Sequence, residues 1–418
     1  MQKYIVKPSP PLNGKIQING SKNSALPIMA ATLLASSECE ISDIPRLLDV
    51  QNMRELLISL GSSVTYNPQN NFMNITCEKP SNTTSDYDLV NKLRASFLVV
   101  GPLLARTGKA KISMPGGCQI GTRPIDLHLK GFAALGAKIT QGNGFIEVKS
   151  RKLIGTKIYL DFPSVGATEN LIMAACLAEG KTNIENVAIE PEIIDLANFL
   201  NKMGADVVGA GTDTITIIGK STLNGCKHRI IPDRIEAGTF MVAAAVTRGK
   251  IMLDNVIPEH LKPITAKMRE SGIEIYEGDT YLSIDATNKI KSSDIKTMPF
   301  PGFPTDMQAP FTTMLAISEG TSVVVETIFE NRFMHIPELR RMGANIKIDG
   351  RTAIIEGKKS LNGAQVKATD LRAGASLVIA GLVANGETEV LDCEHITRGY
   401  CDFDKRLTNL GADVILNS

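Results

Sequence analysis

The 418-residue sequence predicts an α/β fold built from six copies of one unit. An Ala-rich apolar run that starts with a polar residue and closes with glycine recurs along the chain. A Leu-Gly or Met-Gly pair, followed by short stretches of alternating apolar and polar residues, falls between successive runs. Such regular repetition indicates one supersecondary unit that buries its apolar face against its neighbours. Six units could form one ring or two lobes of three.

The Ala-rich runs are predicted to be buried helices, because they are apolar nearly all round. They begin at or near Ser24, Arg94, Ala167, Ala237, Asp306 and Arg372. The last five close at Gly108, Gly180, Gly249, Gly320 and Gly386, while Ser37 stands where the first would close. Glycine suits this place because it ends a helix at positive φ without strain.

A second helix in each unit ends at the Leu-Gly or Met-Gly pair. The closing glycines are Gly61, Gly136, Gly204, Gly343 and Gly411, with Gly272 as a weaker copy. This helix carries a charged face, as in residues 337–342, and is predicted to lie outside. Alternating stretches such as 345–348 and 353–356 are predicted to be strands.

Composition excludes several classes of function. Lysine plus arginine (45) nearly balances aspartate plus glutamate (44), so there is no electrostatic footprint for nucleic acid or for an anionic membrane. Seven cysteines without a CxxC pair predict reduced thiols and a cytoplasmic location, with Cys176 as plain core packing. We expect no metal or other cofactor, and apolar runs such as 97–105 are too short to span a bilayer.

Cations stand at the starts of four of the predicted buried helices: Lys22, Arg94, Arg234 and Arg372. A helix start carries a positive field that disfavours cations and attracts anions. A bound, multiply charged anion would resolve this conflict, so we predict an anion site. Helix capping is the alternative explanation for the polar residues Asn23, Ser164 and Asp306.

Cys118 lies in the most informative segment of the chain. Three glycines and two prolines surround it, and Arg123 follows five residues later. A nearby cation lowers the pKa of a thiol, which favours a reactive cysteine. The alternative is a surface turn that carries an inert cysteine.

Seven segments carry a resemblance to a known family. They are GSKNSALP at 20–27, PGGCQIGTRPIDLH at 115–128, PDRIE at 232–236, FPTDMQ at 303–308, ETIFENRFMH at 326–335, DLRA at 370–373 and RGY at 398–400. Together they closely resemble the motifs of the UDP-N-acetylglucosamine 1-carboxyvinyltransferases, a branch of the enolpyruvyl transferase family. The resemblance extends from the N-terminus to Asp413.

The resemblance implies a two-lobed inside-out α/β barrel with three βαβαββ-type units in each lobe. Lobe 1 would comprise residues 21–230 and carry the Cys118 loop, and lobe 2 would comprise 1–20 plus 231–418. The implied reaction transfers the enolpyruvyl group of phosphoenolpyruvate to the 3′-hydroxyl of UDP-N-acetylglucosamine and releases phosphate. This is the first committed step of peptidoglycan synthesis, and fosfomycin would inhibit it by alkylating Cys118.

The same resemblance implies roles for individual residues. Cys118 would be the general acid that protonates C3, able also to form a covalent adduct. Asp306 would be a sugar ligand and the candidate base, with a water molecule as the alternative base. The phosphate would be held by Lys22, Arg123 and Arg398, with Arg372 close by. The nucleotide sugar would be bound by Asn23, Arg94, Arg123, Pro124, Ile125, Asp126, Leu127, Ser164, Val165, Gly166, Asp306 and Ile328.

Some positions depart from the family pattern, and others match it without a predicted catalytic role. Phe162 and Leu48 replace commonly basic residues, and Leu98 replaces a frequent aromatic residue. Asp370, Glu190 and Arg332 match the family; a purely structural role stays open for them, and they are not counted among the catalytic residues.

Three other hypotheses compete with this function, and the sequence argues against each of them. A transferase of the 5-enolpyruvylshikimate-3-phosphate synthase type would lack the Cys118 loop. A non-catalytic or RNA-processing protein could use a related repeat, as RNA 3′-phosphate cyclases do, but the balanced charge argues against it. A P-loop at residues 219–221 fails because Thr214 stands where the first glycine is required.

Overall fold

The computed structural model describes residues 2–85, 87–114, 120–121 and 125–417. Its α-helices are α1 (Lys22–Ala31), α2 (Leu48–Ser59), α3 (Tyr87–Lys92), α4 (Val100–Thr107), α5 (Asp126–Ala134), α6 (Val165–Ala175), α7 (Pro191–Lys202), α8 (Arg234–Val246), α9 (Pro258–Glu270), α10 (Gln308–Leu315), α11 (Ile336–Arg341), α12 (Leu371–Gly381), α13 (Glu394–Thr397) and α14 (Phe403–Thr408). Helices of the 3₁₀ type cover Thr32–Leu34, Arg94–Val99 and Thr305–Met307.

The strands are short. They are β1 (Lys3–Val6), β2 (Asn13–Gln17), β3 (Cys39–Ser42), β4 (Ser63–Asn67), β5 (Phe72–Thr76), β6 (Thr84–Ser85), β7 (Lys109–Ser113), β8 (Lys138–Gly142), β9 (Phe145–Lys149), β10 (Lys157–Tyr159), β11 (Lys181–Glu185), β12 (Asp206–Val208), β13 (Thr214–Ile218), β14 (Lys227–Arg229), β15 (Lys250–Asp254), β16 (Glu274–Glu277), β17 (Tyr281–Asp285), β18 (Ile295–Lys296), β19 (Thr321–Val325), β20 (Asn345–Asp349), β21 (Thr352–Glu356), β22 (Leu361–Asn362), β23 (Gln365–Lys367), β24 (Ala384–Asn385), β25 (Thr388–Leu391) and β26 (Val414–Asn417).

The chain divides into two compact units. Among the described residues, the first unit comprises 20–114 and 125–231, and the second comprises 2–19, 120–121 and 232–417. Each unit contains three of the four-stranded sheets found in the described part of the chain.

One topology recurs in these sheets and confirms the predicted repeat. In β10-β11-β13-β12, for example, a parallel pair is extended by two antiparallel pairings. With α6 between the parallel strands and α7 after β11, the order is βαβαββ. The crossover between parallel strands needs a long connection such as this helix, whereas the antiparallel strands β12 and β13 need only a short one.

Three sheets are completed by strands distant in sequence. The N-terminal strand β1 lies between β25 and β26, near the other end of the chain. In the same way, β2 pairs in parallel with β15, and β14 pairs in parallel with β3. In each unit, strand pairing therefore joins segments that are far apart in sequence.

The Ala-rich helices lie inside, as predicted. All thirteen residues of α8 are buried, as are ten of the eleven residues of α12. In the second unit, α8, α10 and α12 pack against one another. Small alanine side chains let these helices approach closely, and their all-round apolar surface accounts for burial on every side.

The prediction for the second helix of each unit holds only in part. In α9, charged residues such as Glu259 and Arg269 are exposed while Leu261 and Met268 face the core. In α7, by contrast, eight of the twelve residues are buried, including Glu192 and Asp195. The prediction of an outside helix is wrong for α7 because it packs against both α1 and α6, and its carboxylates have partners in the interior.

Cys176 is fully buried, and burial raises the pKa of its thiol to about 12, which confirms its interpretation as core packing. Within the described part of the chain, no helix combines the length and the apolar composition that crossing a bilayer requires. The described residues also form no cluster of side chains suited to a metal ion.

Candidate active site

In the second unit, Asp306 lies between two buried arginines. It belongs to the 3₁₀ turn Thr305–Met307 that leads into α10. Its Oδ1 accepts a hydrogen bond from Nη2 of Arg332 at 2.7 Å, and its Oδ2 accepts one from Nη2 of Arg372 at 3.1 Å. Both guanidinium groups favour the charged carboxylate. We call these three residues the Asp306 cluster.

Glu326 holds the segment that presents Arg332. This buried carboxylate accepts hydrogen bonds from the hydroxyls of Thr297 (2.9 Å) and Thr305 (2.8 Å). It also accepts from the backbone N–H of Ile328 (2.8 Å) and of the next residue (3.1 Å). The hydroxyl of Thr305 in turn accepts from Nη1 of Arg332 at 2.9 Å. The guanidinium is therefore fixed before any ligand arrives.

Arg372 is only 1% exposed, which is unusual for a guanidinium. Its carbon Cζ lies 5.2 Å from the centre of the Tyr400 ring, in cation–π contact. Nε and Nη1 lie without a close hydrogen-bond acceptor among the described residues, although Tyr400 and Asp233 favour the charged form of the guanidinium. A buried guanidinium with donors left over is suited to receive an anion.

The Cys118 prediction falls outside the described residues, as do Arg123 and Pro124. The nearby Ile120 and Gly121 belong to the second unit. The carbonyl of Ile120 accepts a hydrogen bond from the N–H of Asn331 at 3.1 Å. A Cβ added to Gly121 would lie 2.3 Å from a carboxylate oxygen of Glu330, so any other residue there would require this exposed side chain to move. The chain just after Cys118 thus contacts the segment that presents Arg332.

In the first unit, Lys22 is the first residue of α1 and is 7% exposed. Its Nζ lies 3.2 Å from Oδ2 of Asp49, which belongs to the first turn of α2 and is 2% exposed. Two of the cations at helix starts are therefore paired with carboxylates of the protein itself. Asp49 is the partner of Lys22, and Asp306 is the partner of Arg372.

His128 joins the starts of α5 and α6. Its Nδ1 accepts a hydrogen bond from the amide of Asn170 at 3.1 Å, because Oδ1 of that amide already accepts from the N–H of Gly101 at 2.7 Å. Burial lowers the pKa of His128 to about 3, and the charge of Arg94 acts in the same direction. The neutral ring therefore carries its hydrogen on Nε2, which lies beside Gly166. His128 therefore links the starts of α5 and α6, where several of the residues predicted to bind the nucleotide sugar lie.

Capping explains one of the three residues proposed for it. Ser164 is the N-cap of α6 and accepts from the N–H of Ala167. Asn23 lies inside α1, and the carboxylate of Asp306 is taken up by arginines, so capping is wrong for both. The N-caps of α8 and α12 are instead Asp233 and Asp370.

The remaining predicted residues occupy helix or strand ends. Ile125 is the N-cap of α5, which begins with Asp126 and Leu127, and Val165 begins α6. Arg94 begins a 3₁₀ helix, and Arg398 is the half-buried C-cap of α13. Of the departures from the family pattern, Leu48 and Phe162 are exposed and Leu98 is buried.

Sequence reasoning missed two residues of these clusters and left the role of a third open. Asp49 and Tyr400 have no predicted role, although Tyr400 lies in the RGY motif. Arg332, kept outside the predicted catalytic set, contacts Asp306 directly. Its place in a matched motif only 26 residues from Asp306 was the available signal.

Comparisons with known proteins agree with this fold. Residues 6–407 match the family model described as EPSP synthase (3-phosphoshikimate 1-carboxyvinyltransferase). Among solved structures, the enolpyruvyl transferase NikO from Streptomyces tendae superposes with a TM-score of 0.90 at 22% identity, covering 99% of this chain and 98% of its own. EPSP synthase from Acinetobacter baumannii gives a TM-score of 0.77 at 19% identity, with both chains fully covered. The fold and the family model define a carboxyvinyl transferase.

Curated relatives narrow the class. UDP-N-acetylglucosamine 1-carboxyvinyltransferase 1 of Caldanaerobacter subterraneus subsp. tengcongensis is 57% identical to this chain. UDP-N-acetylglucosamine 1-carboxyvinyltransferase 2 of Carboxydothermus hydrogenoformans is 56% identical to it. Each alignment covers 99% of this chain and 99% of the relative. The chain belongs to the UDP-N-acetylglucosamine 1-carboxyvinyltransferase family.

Proposed function

We propose that this protein transfers the enolpyruvyl group of phosphoenolpyruvate to the 3′-hydroxyl of UDP-N-acetylglucosamine, the first committed step of peptidoglycan synthesis. The observation that supports it best is the Asp306 cluster, in which two fixed cations flank one carboxylate. Guanidinium groups suit a substrate that carries both a carboxylate and a phosphate. A carboxylate beside them can accept the proton of an attacking hydroxyl.

The reaction is an addition followed by an elimination. In the addition, C3 of phosphoenolpyruvate gains a proton, the 3′-oxygen bonds to C2, and the hydroxyl proton leaves. In the elimination, C3 loses a proton and the C2–O bond to phosphate breaks. Cys118 is proposed as the acid that protonates C3, and Asp306 as the acceptor of the hydroxyl proton.

Further roles follow the family. Lys22, Arg123 and Arg398 would hold the phosphate, while Arg94 and the starts of α5 and α6 would bind the nucleotide sugar. The six described cysteines that are free of disulfides favour a cytoplasmic location.

The activity is tested by incubating the purified protein with phosphoenolpyruvate and UDP-N-acetylglucosamine. We expect phosphate release and a product heavier than the nucleotide sugar by one enolpyruvyl group. Shikimate 3-phosphate, offered instead, tests the alternative transferase and is expected to give no phosphate. Folded protein that releases phosphate only with shikimate 3-phosphate, or with neither acceptor, would refute the proposal.

The role of Cys118 is tested separately by intact-mass analysis with fosfomycin. We expect one covalent adduct on the wild-type protein and none on Cys118→Ala. Cys401→Ala is the matched control, because Cys401 is a half-buried thiol remote in sequence from the loop. An adduct that persists in Cys118→Ala would show that another thiol reacts.

A further inference from the structure

Lys22 occupies an unfavourable place for a cation. It is nearly buried, and it stands at the positive end of α1, where the side chain of the N-cap Ser21 makes no capping hydrogen bond. Burial and the helix field both oppose a charged ammonium there. A compensating negative charge is required.

Asp49 supplies that charge. Its Oδ2 lies 3.2 Å from Nζ of Lys22, and its side chain is only 4% exposed. It stands in the first turn of α2, where the helix field favours a carboxylate. The positive field at the start of α2 therefore stabilises the Asp49 carboxylate. This carboxylate in turn stabilises the Lys22 ammonium, which the positive field at the start of α1 disfavours.

We propose that Asp49 is a positioning residue that holds the Lys22 ammonium charged and directed for the phosphate of phosphoenolpyruvate. This inference rests on the proposed function, in which Lys22 is a phosphate ligand. An ammonium has three donors, so a hydrogen bond to Asp49 is compatible with one to phosphate. Asp49 acts through Lys22 and has no assigned contact with substrate.

Other charged groups also lie on the elements packed against α1. These elements are α2, α6, α7 and the 3₁₀ helix Arg94–Val99. Their buried or half-buried charged residues are Asp49, Arg54, Arg94, Glu169, Glu192 and Asp195. Asp195 is engaged by Ser24 and His228, and burial favours the neutral form of Glu169. Asp49 is a carboxylate within ion-pair distance of Lys22, with its Oδ2 at 3.2 Å from Nζ.

The test compares Asp49→Asn with Glu55→Gln, which removes an exposed carboxylate from the same helix. In Asp49→Asn we expect the KM for phosphoenolpyruvate to rise roughly tenfold, because a charge-assisted hydrogen bond is lost. The KM for UDP-N-acetylglucosamine should change much less. The alkaline limb of phosphoenolpyruvate binding, measured in the Cys118→Ala background so that the general acid does not contribute, should move to lower pH, because the ammonium has lost its counter-charge. Glu55→Gln should alter none of these values.

Asp49→Glu keeps the charge but displaces it by one methylene. We expect a raised KM for phosphoenolpyruvate with the alkaline limb unmoved, a split that a merely structural role would not give. The inference is wrong if folded Asp49→Asn keeps the wild-type KM for phosphoenolpyruvate and the wild-type pH profile. If Asp49→Asn cannot be purified folded, the inference is wrong when Asp49→Glu leaves the KM for phosphoenolpyruvate unchanged.

Calorimetric titration with phosphoenolpyruvate separates this inference from the proposed function. Absence of turnover by the wild-type protein would overturn the function, whereas the affinities of wild type, Asp49→Asn and Glu55→Gln would still test Asp49. Weaker binding by Asp49→Asn alone supports the inference. Equal binding by all three overturns it.

Discussion

The guanidinium of Arg332 donates a hydrogen bond of 2.7 Å to the carboxylate of Asp306, and both residues come from motifs shared with one family. Arg332 is 4% exposed, and its Cζ lies 5.2 Å from the ring centre of Phe329. The carboxylate is thus held in place by a cation that is itself held by Thr305 and by an aromatic face. This makes the Asp306 cluster a preorganised unit.

Asp306→Asn should lower both activity and stability. The substitution keeps the size of the side chain but leaves Arg332 and Arg372 buried beside a neutral amide. We expect a loss of about 2 kcal/mol in the free energy of unfolding, below the usual cost of breaking a buried pair because Asp306 is partly exposed. Phosphate release should fall by about 100-fold or more. Urea unfolding and a phosphate assay measure the two effects, with Asp279→Asn, in an exposed turn, as the control.

Tyr400 is predicted to hold Arg372 mainly through its ring, because its hydroxyl, which also favours the charged guanidinium, is already hydrogen-bonded elsewhere. The hydroxyl is hydrogen-bonded to Thr239 at 2.8 Å, and Thr239 also donates to the carbonyl of Ile235. Tyr400→Phe should therefore cost about 1 kcal/mol. Tyr400→Leu removes the aromatic face as well and should cost about 3 kcal/mol while raising the KM for phosphoenolpyruvate. Equal effects of the two variants on KM would contradict a role for the ring.

Asp195 should be a major determinant of stability in the first unit. It accepts hydrogen bonds from the hydroxyl of Ser24, from Nε2 of His228 at 2.9 Å and from the N–H of Ile231 at 3.3 Å. Asp195→Ala leaves three donors without an acceptor and should cost about 3–4 kcal/mol. Ser24→Ala removes one donor and should cost about 1 kcal/mol.

Urea unfolding would measure both losses, with Asp213→Ala in an exposed turn as the control. An Asp195→Ala variant no less stable than Ser24→Ala would show that the three hydrogen bonds contribute little.

Glu169 should make stability depend on pH. Burial raises its pKa well above the usual value, and the charges of Glu192 and Glu190 act in the same direction. The folded protein therefore keeps a proton that the unfolded chain loses near pH 4.3, so the contribution of Glu169 to stability declines as pH rises above that value. Glutamine mimics the protonated form. The stability gained by Glu169→Gln should grow between pH 5 and pH 8.

Unfolding in urea at several pH values would measure this difference, with the exposed Glu38→Gln as the control. A difference that stays constant with pH would indicate that Glu169 is charged in the folded protein.

The repeat was predictable because it is written in local patterns. The Ala-rich runs at 234–246 and 371–381 could only be covered helices, and glycines such as Gly343 and Gly411 do adopt positive φ after the helices they close. The cations at the helix starts predicted only a bound anion near residues such as Arg372, not a carboxylate of the protein. That Asp306 would be the partner depended on how α10 and α12 pack.

The internal partners of the site were not predictable from the same patterns. Asp49 is 27 residues from Lys22, and Asp195 is 33 residues from His228. Nothing in the spacing of these residues distinguishes them from ordinary surface carboxylates on an amphipathic helix. The burial of α7, which removed Asp195 from solvent, was likewise decided by its packing against α1 and α6.

The sequence by itself determined the six-fold repeat, the buried helices and, through its motifs, the family. Helix periodicity, glycine at helix ends and motif identity are local properties, so they survive without knowledge of the fold. Only the tertiary structure decided which charges meet: Asp49 with Lys22, and Asp306 with two arginines. Such pairs form between helices whose approach is set by core packing, and their electrostatic value depends on burial, which no local stretch of sequence specifies.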